Sequence, residues 1–329
     1  ITRRDLAEYR AVERAPLHGS YLGYEIIGMP PPSSGGAVVL EVLNQLEALG
    51  AERFGRTSTD FLHLRLEASR RAYLDRARHL GDPDFGPVPV ERLIAKAYAD
   101  SLARSIDPLR ASSSVALGGA LVTPGEPDET THFSVVDAAG NAVAVTYTLE
   151  GGYGSGVVVR GAGFLLNNEM GDFNKKPGYT STRGDIGTPA NVIAPGKRML
   201  SSMSPTIVAR DGALVLVTGS PGGRTIPNTV LDVVLGVTAF KQPLRQAVDA
   251  PRVHHQWLPD EVRYEAGAIP DSAKAELRGM GHTLRRDPVH AQGDAHSIWY
   301  DARTGTAYGA NDKRSPDSKV SVPSPPPRR

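Results

Sequence analysis

The chain has 329 residues and a mass of 35.0 kDa, enough for one large domain or two ordinary ones with a core that needs no covalent staples. It holds no cysteine, which excludes a thiolate nucleophile, Cys-ligated zinc and a Cys-ligated iron–sulfur cluster. Lys and Arg number 37 against 36 Asp and Glu, a formal charge of +1, which argues against a nucleic-acid footprint or a polybasic membrane patch.

The opening residues, ITRRDLAEYR, lack the apolar run of a signal peptide, and no stretch approaches the ~20 apolar residues of a membrane span; that absence does not place the protein in the cytoplasm. A strand is expected over 24–29. Helices are expected over 37–49, where Val39, Leu40, Val42, Leu43, Leu46 and Leu49 recur at three- to four-residue spacing, and over 61–80 and 90–106. MPPPSSGG (29–36) and GDPDFGPVPV (81–90) interrupt them, because proline and glycine force turn or extended backbone. A polar stretch over 111–129 reads as an exposed linker. Only one strand precedes it, so the apolar helix faces need strands from elsewhere to cover.

Beyond the linker the period falls to 2. Strands are expected over 132–136 and 142–148, joined by Asp137-Ala138-Ala139-Gly140-Asn141, and over 205–208 and 214–217, joined by a loop over 209–213. Helices over 226–240 and 271–280, short strands over 296–300 and 306–309, and a disordered tail SVPSPPPRR complete the chain. No repeat of solenoid length is present.

The Gly-x-Ser-x-Gly elbow, His-Glu-x-x-His and the full phosphate-loop pattern are all absent. One route to covalent catalysis remains. A threonine hydroxyl is a nucleophile when its own free α-amine serves as base, which requires cleavage just before it and a strand beginning there. Glu129-Thr130-Thr131-His132-Phe133-Ser134 sits where that would work, because a polar linker ends against a strand; threonine pairs at strand starts are also ordinary β-formers, and both readings stand on spacing alone.

The blocks TTHFSVVDAAGNAVAVTYTLEGGYGSG, FLLNNEMGDF, KRMLSSMSPT, LVTGSPGGRT and PRVHHQWLPDE, in this order and spacing, resemble the γ-glutamyltranspeptidase (glutathione hydrolase) family of N-terminal-nucleophile hydrolases. YEIIGMPPPSSGG and the LGDPDF block resemble the later part of that family's large subunit. The likeness runs to about residue 315, and the front of the large subunit has no counterpart. It implies an α+β fold, a four-layer αββα N-terminal-nucleophile hydrolase sandwich, with residues 1–129 as the later part of the large subunit and 130–329 as the small catalytic subunit.

Residue by residue, the resemblance implies that Thr130 is the nucleophile, released by autocleavage between Glu129 and Thr130, and that the Thr148 hydroxyl orients it. An α-amine, with an ordinary pKa of about 7.7 to 8.0, suits the role of base near neutral pH. Gly222 and Gly223 fall on the oxyanion-hole pair, where backbone N–H groups approach the oxyanion with no Cβ in the way. Glu169 and Asp172 fall on acids that hold the α-ammonium of a γ-glutamyl group, and Glu150 adds a negative charge beside them. Ser201 and Ser202 fall on a pair that binds the α-carboxylate. His254 and His255, adjacent on a strand, point to opposite faces and suit packing better than a metal; His132 has a structural place.

The segment over 174–198 has the length of the loop that covers the site in lidded members, but the covering tyrosine position is Arg183. The carboxylate-binding arginine of the large subunit belongs to the part without counterpart. The resemblance thus implies a γ-glutamyl transferase or hydrolase acting on compounds such as glutathione, with water, an amino acid or a dipeptide as acceptor. It implies no cofactor or metal, a heterodimer of self-cleaved chains, a longer precursor, and a periplasmic or secreted location. A glutaryl or cephalosporin acylase of the same fold, and a non-catalytic scaffold remnant, are the alternatives.

Overall fold

A computed structural model describes residues 2–118, 130–174, 176–182, 187–287 and 292–322; Glu129, Arg183 and the tail from residue 323 lie outside the described residues. A short helix α1 (Arg3–Glu8) is closed by a capping box between Thr2 and Asp5. Strands β1 (Leu17–Tyr21) and β2 (Tyr24–Gly28) then pair through a tight turn at Leu22 and Gly23. β1 adds to the single strand expected before residue 130. Its core-facing positions are Leu17, Gly19 and Tyr21, so a glycine hides the alternation; a Cβ on Gly19 would lie 2.4 Å from Leu40 Cδ2.

Helix α2 (Gly35–Ala48) starts on two glycines because the backbone comes close there: a Cβ on Gly35 would lie 2.3 Å from the Met203 carbonyl oxygen. Its residues 35–46 are all buried. Helix α3 (Thr59–His79) is capped by Ser58, whose Oγ accepts from Phe61 N at 3.3 Å. The helix expected over 90–106 is two, α4 (Val90–Leu93) and α5 (Lys96–Arg104). The Asn44 side-chain amide takes the Ile94 carbonyl at 2.7 Å and Ala95 is extended, so the helical ladder stops between them.

Helix α6 (Ser114–Gly118) lies in the stretch read as an exposed linker, yet Ser114 is buried: its N–H donates to Asp260 Oδ2 at 2.8 Å and its carbonyl accepts from Trp257 Nε1 at 2.8 Å. These partners lie about 140 residues away, so local composition cannot reveal them.

The later part opens on the hairpin β3 (Thr131–Val136) and β4 (Ala142–Tyr147). Strands β5 (Thr206–Arg210) and β6 (Ala213–Gly219) meet through Asp211 and Gly212, both left-handed at φ 52° and 76°, a tighter connection than the expected 209–213 loop. Then come α7 (Ile226–Thr238), α8 (Leu244–Asp249), β7 (Val253–His254), β8 (Val262–Tyr264), α9 (Asp271–Gly279), β9 (Leu284–Arg286), β10 (His296–Asp301) and β11 (Thr306–Ala310). α8 and β7–β9 are too short to impose a period and were invisible to pattern reading.

One antiparallel sheet runs β1-β2-β5-β6-β10-β11, so strands from both sides of residue 129 are neighbours, with Glu25 to Gly28 of β2 paired to Ala209 to Thr206 of β5. Helices α2, α7 and α8 pack on one face and the β3–β4 hairpin lies on the other, over β6 and β10. The described residues thus build a helical layer, a sheet and the start of a second sheet layer, an α+β arrangement. The main core joins Leu40, Leu43 and Phe61 to Val208, Leu216, Val230 and Leu235. The apolar faces of α2 and α3, which need cover from elsewhere, are buried, α2 against β1, β2 and α7 and α3 against α2 and α9. Apolar exposure falls instead on the outward side of the hairpin, at Phe133, Val135, Val143 and Tyr147. Among the described residues no helix is long and apolar enough to cross a membrane.

Candidate active site

The period-2 alternation of β3 places Thr130, His132 and Ser134 on the side that faces the large sheet, and Thr131, Phe133 and Val135 on the other. His132 fixes that seating. It is 2% exposed, its Nδ1 shares a hydrogen bond with Thr146 Oγ1 at 2.8 Å and its Nε2 one with Ser134 Oγ at 3.1 Å. The ring lies on Gly219 at the end of β6, where a Cβ would lie 2.1 Å from Cε1. Burial, reinforced by His296, pushes this imidazole down to about 3, so it is neutral and serves as packing. Thr130 lies two residues earlier, on the same face of the hairpin.

Across the hairpin, Thr130 Oγ1 donates to Thr148 Oγ1 at 3.4 Å, and Thr148 Oγ1 accepts from Glu150 N at 2.8 Å. Glu150 is 6% exposed and left-handed at φ 71°. Its carboxylate accepts from Asn168 Nδ2 and fills the space above Gly171, where a Cβ would lie 2.0 Å from Oε1. Asn168 returns the contact, its Oδ1 accepting from Gly151 N at 2.9 Å. The turn that carries Glu169 and Asp172 is thereby drawn against the end of β4.

Glu169 is 7% exposed and neither carboxylate oxygen has a partner in hydrogen-bonding geometry. Burial first, then the charges of Asp172 and Glu150, push its carboxyl up to about 7, against a weaker pull from the Glu150 amide and the Thr148 hydroxyl. Two buried acids and the half-buried Asp172 thus crowd together beside Thr148.

Ser201 and Ser202 are seated by the proline-rich turn ahead of α2. Ser201 N donates to Pro32 O at 3.0 Å, Ser34 N to Ser201 O at 2.8 Å, and Ser33 Oγ to Met203 O at 2.6 Å. Asn191 joins this cradle to the acidic turn: its Nδ2 donates to Asp172 O at 2.7 Å and its Oδ1 accepts from Leu200 N at 2.9 Å. One side chain thus ties the segment that carries the acids to the one that leads into the serines.

Gly222 and Gly223 follow β6 and lead into α7, both left-handed at φ 126° and 52°. A Cβ on Gly222 would lie 2.6 Å from Thr225 Oγ1, so the turn needs glycine there. The N-terminus of α7 adds its positive dipole end to the same place.

His254 and His255 lie in the core. His254 bonds Asn228 Nδ2 at 2.8 Å and Gln256 Oε1 at 2.7 Å, and burial pushes it down to about 3; His255 is pushed to about 4 for the same reason and accepts from Trp257 N at 3.1 Å. No cluster suited to a metal occurs among the described residues. Arg183, the lid position, lies outside them. Pattern reading missed Arg76 and Ser34, which touch the serine pair. The only available signal was the joint presence of the PPPSSGG and SSMSP blocks.

A helical layer, an antiparallel sheet and a hairpin that opens on a threonine define the N-terminal-nucleophile hydrolase fold class. The family model for gamma-glutamyltranspeptidase matches residues 1–322, and the chain belongs to that family. It is 48% identical over 318 residues to the "Glutathione hydrolase proenzyme" of Escherichia coli strain K12, covering 96% of this chain and 54% of that protein. It is also 38% identical over 323 residues to the "Acylase ACY 1 proenzyme" of Pseudomonas sp. strain SE83, covering 98% of this chain and 54% of that protein. Among solved structures, cephalosporin acylase from Bacillus halodurans aligns with a TM-score of 0.82 at 28% identity, over 98% of this chain and 55% of that one. The chain spans about half the length of the curated relatives it matches.

Proposed function

We propose that the protein is a γ-glutamyl hydrolase or transferase that cleaves γ-glutamyl amides such as glutathione through a γ-glutamyl-threonine ester. The observation that carries this reading is Glu169, a buried carboxyl pushed up to about 7 by burial and by the neighbouring charges of Asp172 and Glu150, beside Thr148. Such a cluster is costly when empty and is relieved by an ammonium group.

Thr130 Oγ1 first attacks the Glu129 carbonyl; the C–N bond breaks, the nitrogen takes the proton, and water opens the resulting ester. The freed α-amine then takes the hydroxyl proton as Oγ1 attacks the donor's γ-carbonyl, with Thr148 holding the hydroxyl in line. The Gly222 and Gly223 N–H groups stabilise the oxyanion, and the amine returns its proton to the leaving nitrogen. Water releases glutamate, or an amino acid or dipeptide takes the acyl group. Glu150, Glu169 and Asp172 hold the donor's ammonium, and Ser201 and Ser202 its carboxylate. The active form is a heterodimer of self-cleaved chains, periplasmic or secreted, and these residues call for no cofactor.

The likeness to acylases favours a second reading, hydrolysis of glutaryl or cephalosporin amides. A glutaryl group has no ammonium to offer the Glu169 carboxyl. A non-catalytic scaffold has no reason to cleave itself. Intact mass and steady-state turnover separate the readings: the wild type should split before Thr130 and prefer γ-glutamyl to glutaryl anilides, while Thr130→Ala stays one chain and is inactive. A wild-type protein that remains uncleaved yet turns over γ-glutamyl anilides would defeat the mechanism.

A further inference from the structure

Arg76 stands directly behind the serine pair. It lies near the end of α3 and is 7% exposed; its Nε donates to Ser34 Oγ at 2.9 Å and its Nη2 to Ser202 Oγ at 2.9 Å. Ser34 Oγ passes the ordering on, donating to Ser201 O at 2.7 Å. One guanidinium thus touches both the Ser34 hydroxyl, which holds the Ser201 carbonyl, and the hydroxyl of Ser202.

The direction of these bonds matters. A serine hydroxyl has one hydrogen to donate and two lone pairs to accept with. Where a guanidinium already donates to the oxygen, the hydroxyl hydrogen points away from it and is left for another acceptor. Ser201 is arranged alike, since its Oγ accepts from Met203 N at 3.0 Å. The two hydroxyls are therefore both set as donors, one by a side chain and one by the backbone, and a pair of donors suits a carboxylate. A fixed positive charge behind Ser202 strengthens its bond to an anion. The planar fork of arginine is needed to reach Ser34 and Ser202 together, which a lysine ammonium on a single point cannot do equally well.

We propose that Arg76 is a positioning residue for donor selection: it sets the Ser202 hydroxyl to donate to the donor's α-carboxylate and thereby makes that carboxylate a requirement of the site. The inference rests on the reading of Ser201 and Ser202 as the carboxylate site. It predicts a separation of roles inside one substrate, with Arg76 felt through the carboxylate and the acids Glu150, Glu169 and Asp172 felt through the ammonium.

The test uses the full-length, cleaved protein and two competitive inhibitors of γ-glutamyl anilide hydrolysis: glutarate, which keeps the carboxylate and lacks the ammonium, and 4-aminobutyrate, which keeps the ammonium and lacks that carboxylate. Arg76→Gln should raise the inhibition constant of glutarate about 10-fold and leave that of 4-aminobutyrate within about twofold. Arg76→Lys, which keeps the charge and the packing, should fall between. In a Ser202→Ala background Arg76→Gln should add little, because the hydroxyl it orients is gone. If Ser202→Ala weakens glutarate but Arg76→Gln does not, the inference fails while the site reading stands. If Ser202→Ala leaves glutarate unchanged, the site reading itself fails. Equal losses on both inhibitors, or failure of every Arg76 variant to fold, would make Arg76 a support of the fold and overturn the proposal.

Discussion

Replacing Glu169 by glutamine should reveal how strongly the empty site resists its own charges. The carboxyl is 7% exposed and is pushed from 4.5 to about 7, which corresponds to about 3 kcal/mol against the ionised form. In the unfolded chain this group loses its proton near pH 4.5, whereas the folded chain keeps it until about pH 7. Between those values the folded state binds more protons, so its stability falls as pH rises, and the penalty is constant above about pH 7. Glu169→Gln removes this titration. Its melting temperature minus that of the wild type should therefore climb from about pH 5 and level off near pH 8. At roughly 2.1 cal/mol/K of unfolding entropy per residue, 3 kcal/mol is about 4 °C in a chain of 329 residues. Thermal melts at intervals of half a pH unit would measure the curve. A γ-glutamyl ligand, whose ammonium neutralises the carboxylate, should raise the wild-type melting temperature more at pH 8 than at pH 6. A wild-type-to-variant difference that is flat from pH 5 to 8 would mean that the three acids do not crowd together.

Asp172→Ala should lower kcat/KM for γ-glutamyl anilides about 10- to 150-fold, the range for one charge-assisted bond, with a smaller loss on glutaryl anilides; equal losses on the two substrates would assign Asp172 to the scaffold. Gly222→Ala places a Cβ 2.6 Å from Thr225 Oγ1 at a φ of 126°, which turns the N–H away from the oxyanion, and kcat should fall roughly 10²- to 10³-fold; pre-cleaved enzyme retaining about a third of wild-type kcat would remove this glycine from the oxyanion hole. Gly19→Ala forces a Cβ to 2.4 Å from Leu40 Cδ2 and should cost about 1 to 3 kcal/mol in denaturant unfolding with kcat unchanged.

Long elements were legible because their periods are strong. α2 and α3 show apolar residues at helical spacing, and the hairpin β3–β4 alternates cleanly between turn residues that accept positive φ. What stayed hidden was decided by partners far away in sequence. β1 carries a glycine where its period needs an apolar residue, and the helix over 90–106 breaks because Asn44 captures a carbonyl fifty residues on. The site followed the same rule. The strand start marked Thr130 only as one of two readings, and the roles expected of Thr130, Gly222, Glu169 and Asp172 came from motif resemblance. Arg76 could not be named, because its only marks are hydrogen bonds to Ser34 and Ser202, the latter 126 residues away.

The order of strands in the large sheet bears on what a break before Thr130 does to the molecule. β2 lies between β1 and β5, so its backbone is hydrogen-bonded to one strand on each side of the break. The core below is likewise interleaved, with Leu40 and Leu43 of α2 packed among Val230, Val234 and Leu235 of α7. Cutting one peptide bond in such a fold opens a loop and frees no surface. The two fragments cannot drift apart and rejoin as folded subunits do, because the six-stranded sheet and both hydrophobic clusters draw on each of them. Exchange of fragments between molecules would have to pass through unfolding. A preparation of mixed labelled molecules should accordingly keep its original pairs for as long as it stays folded.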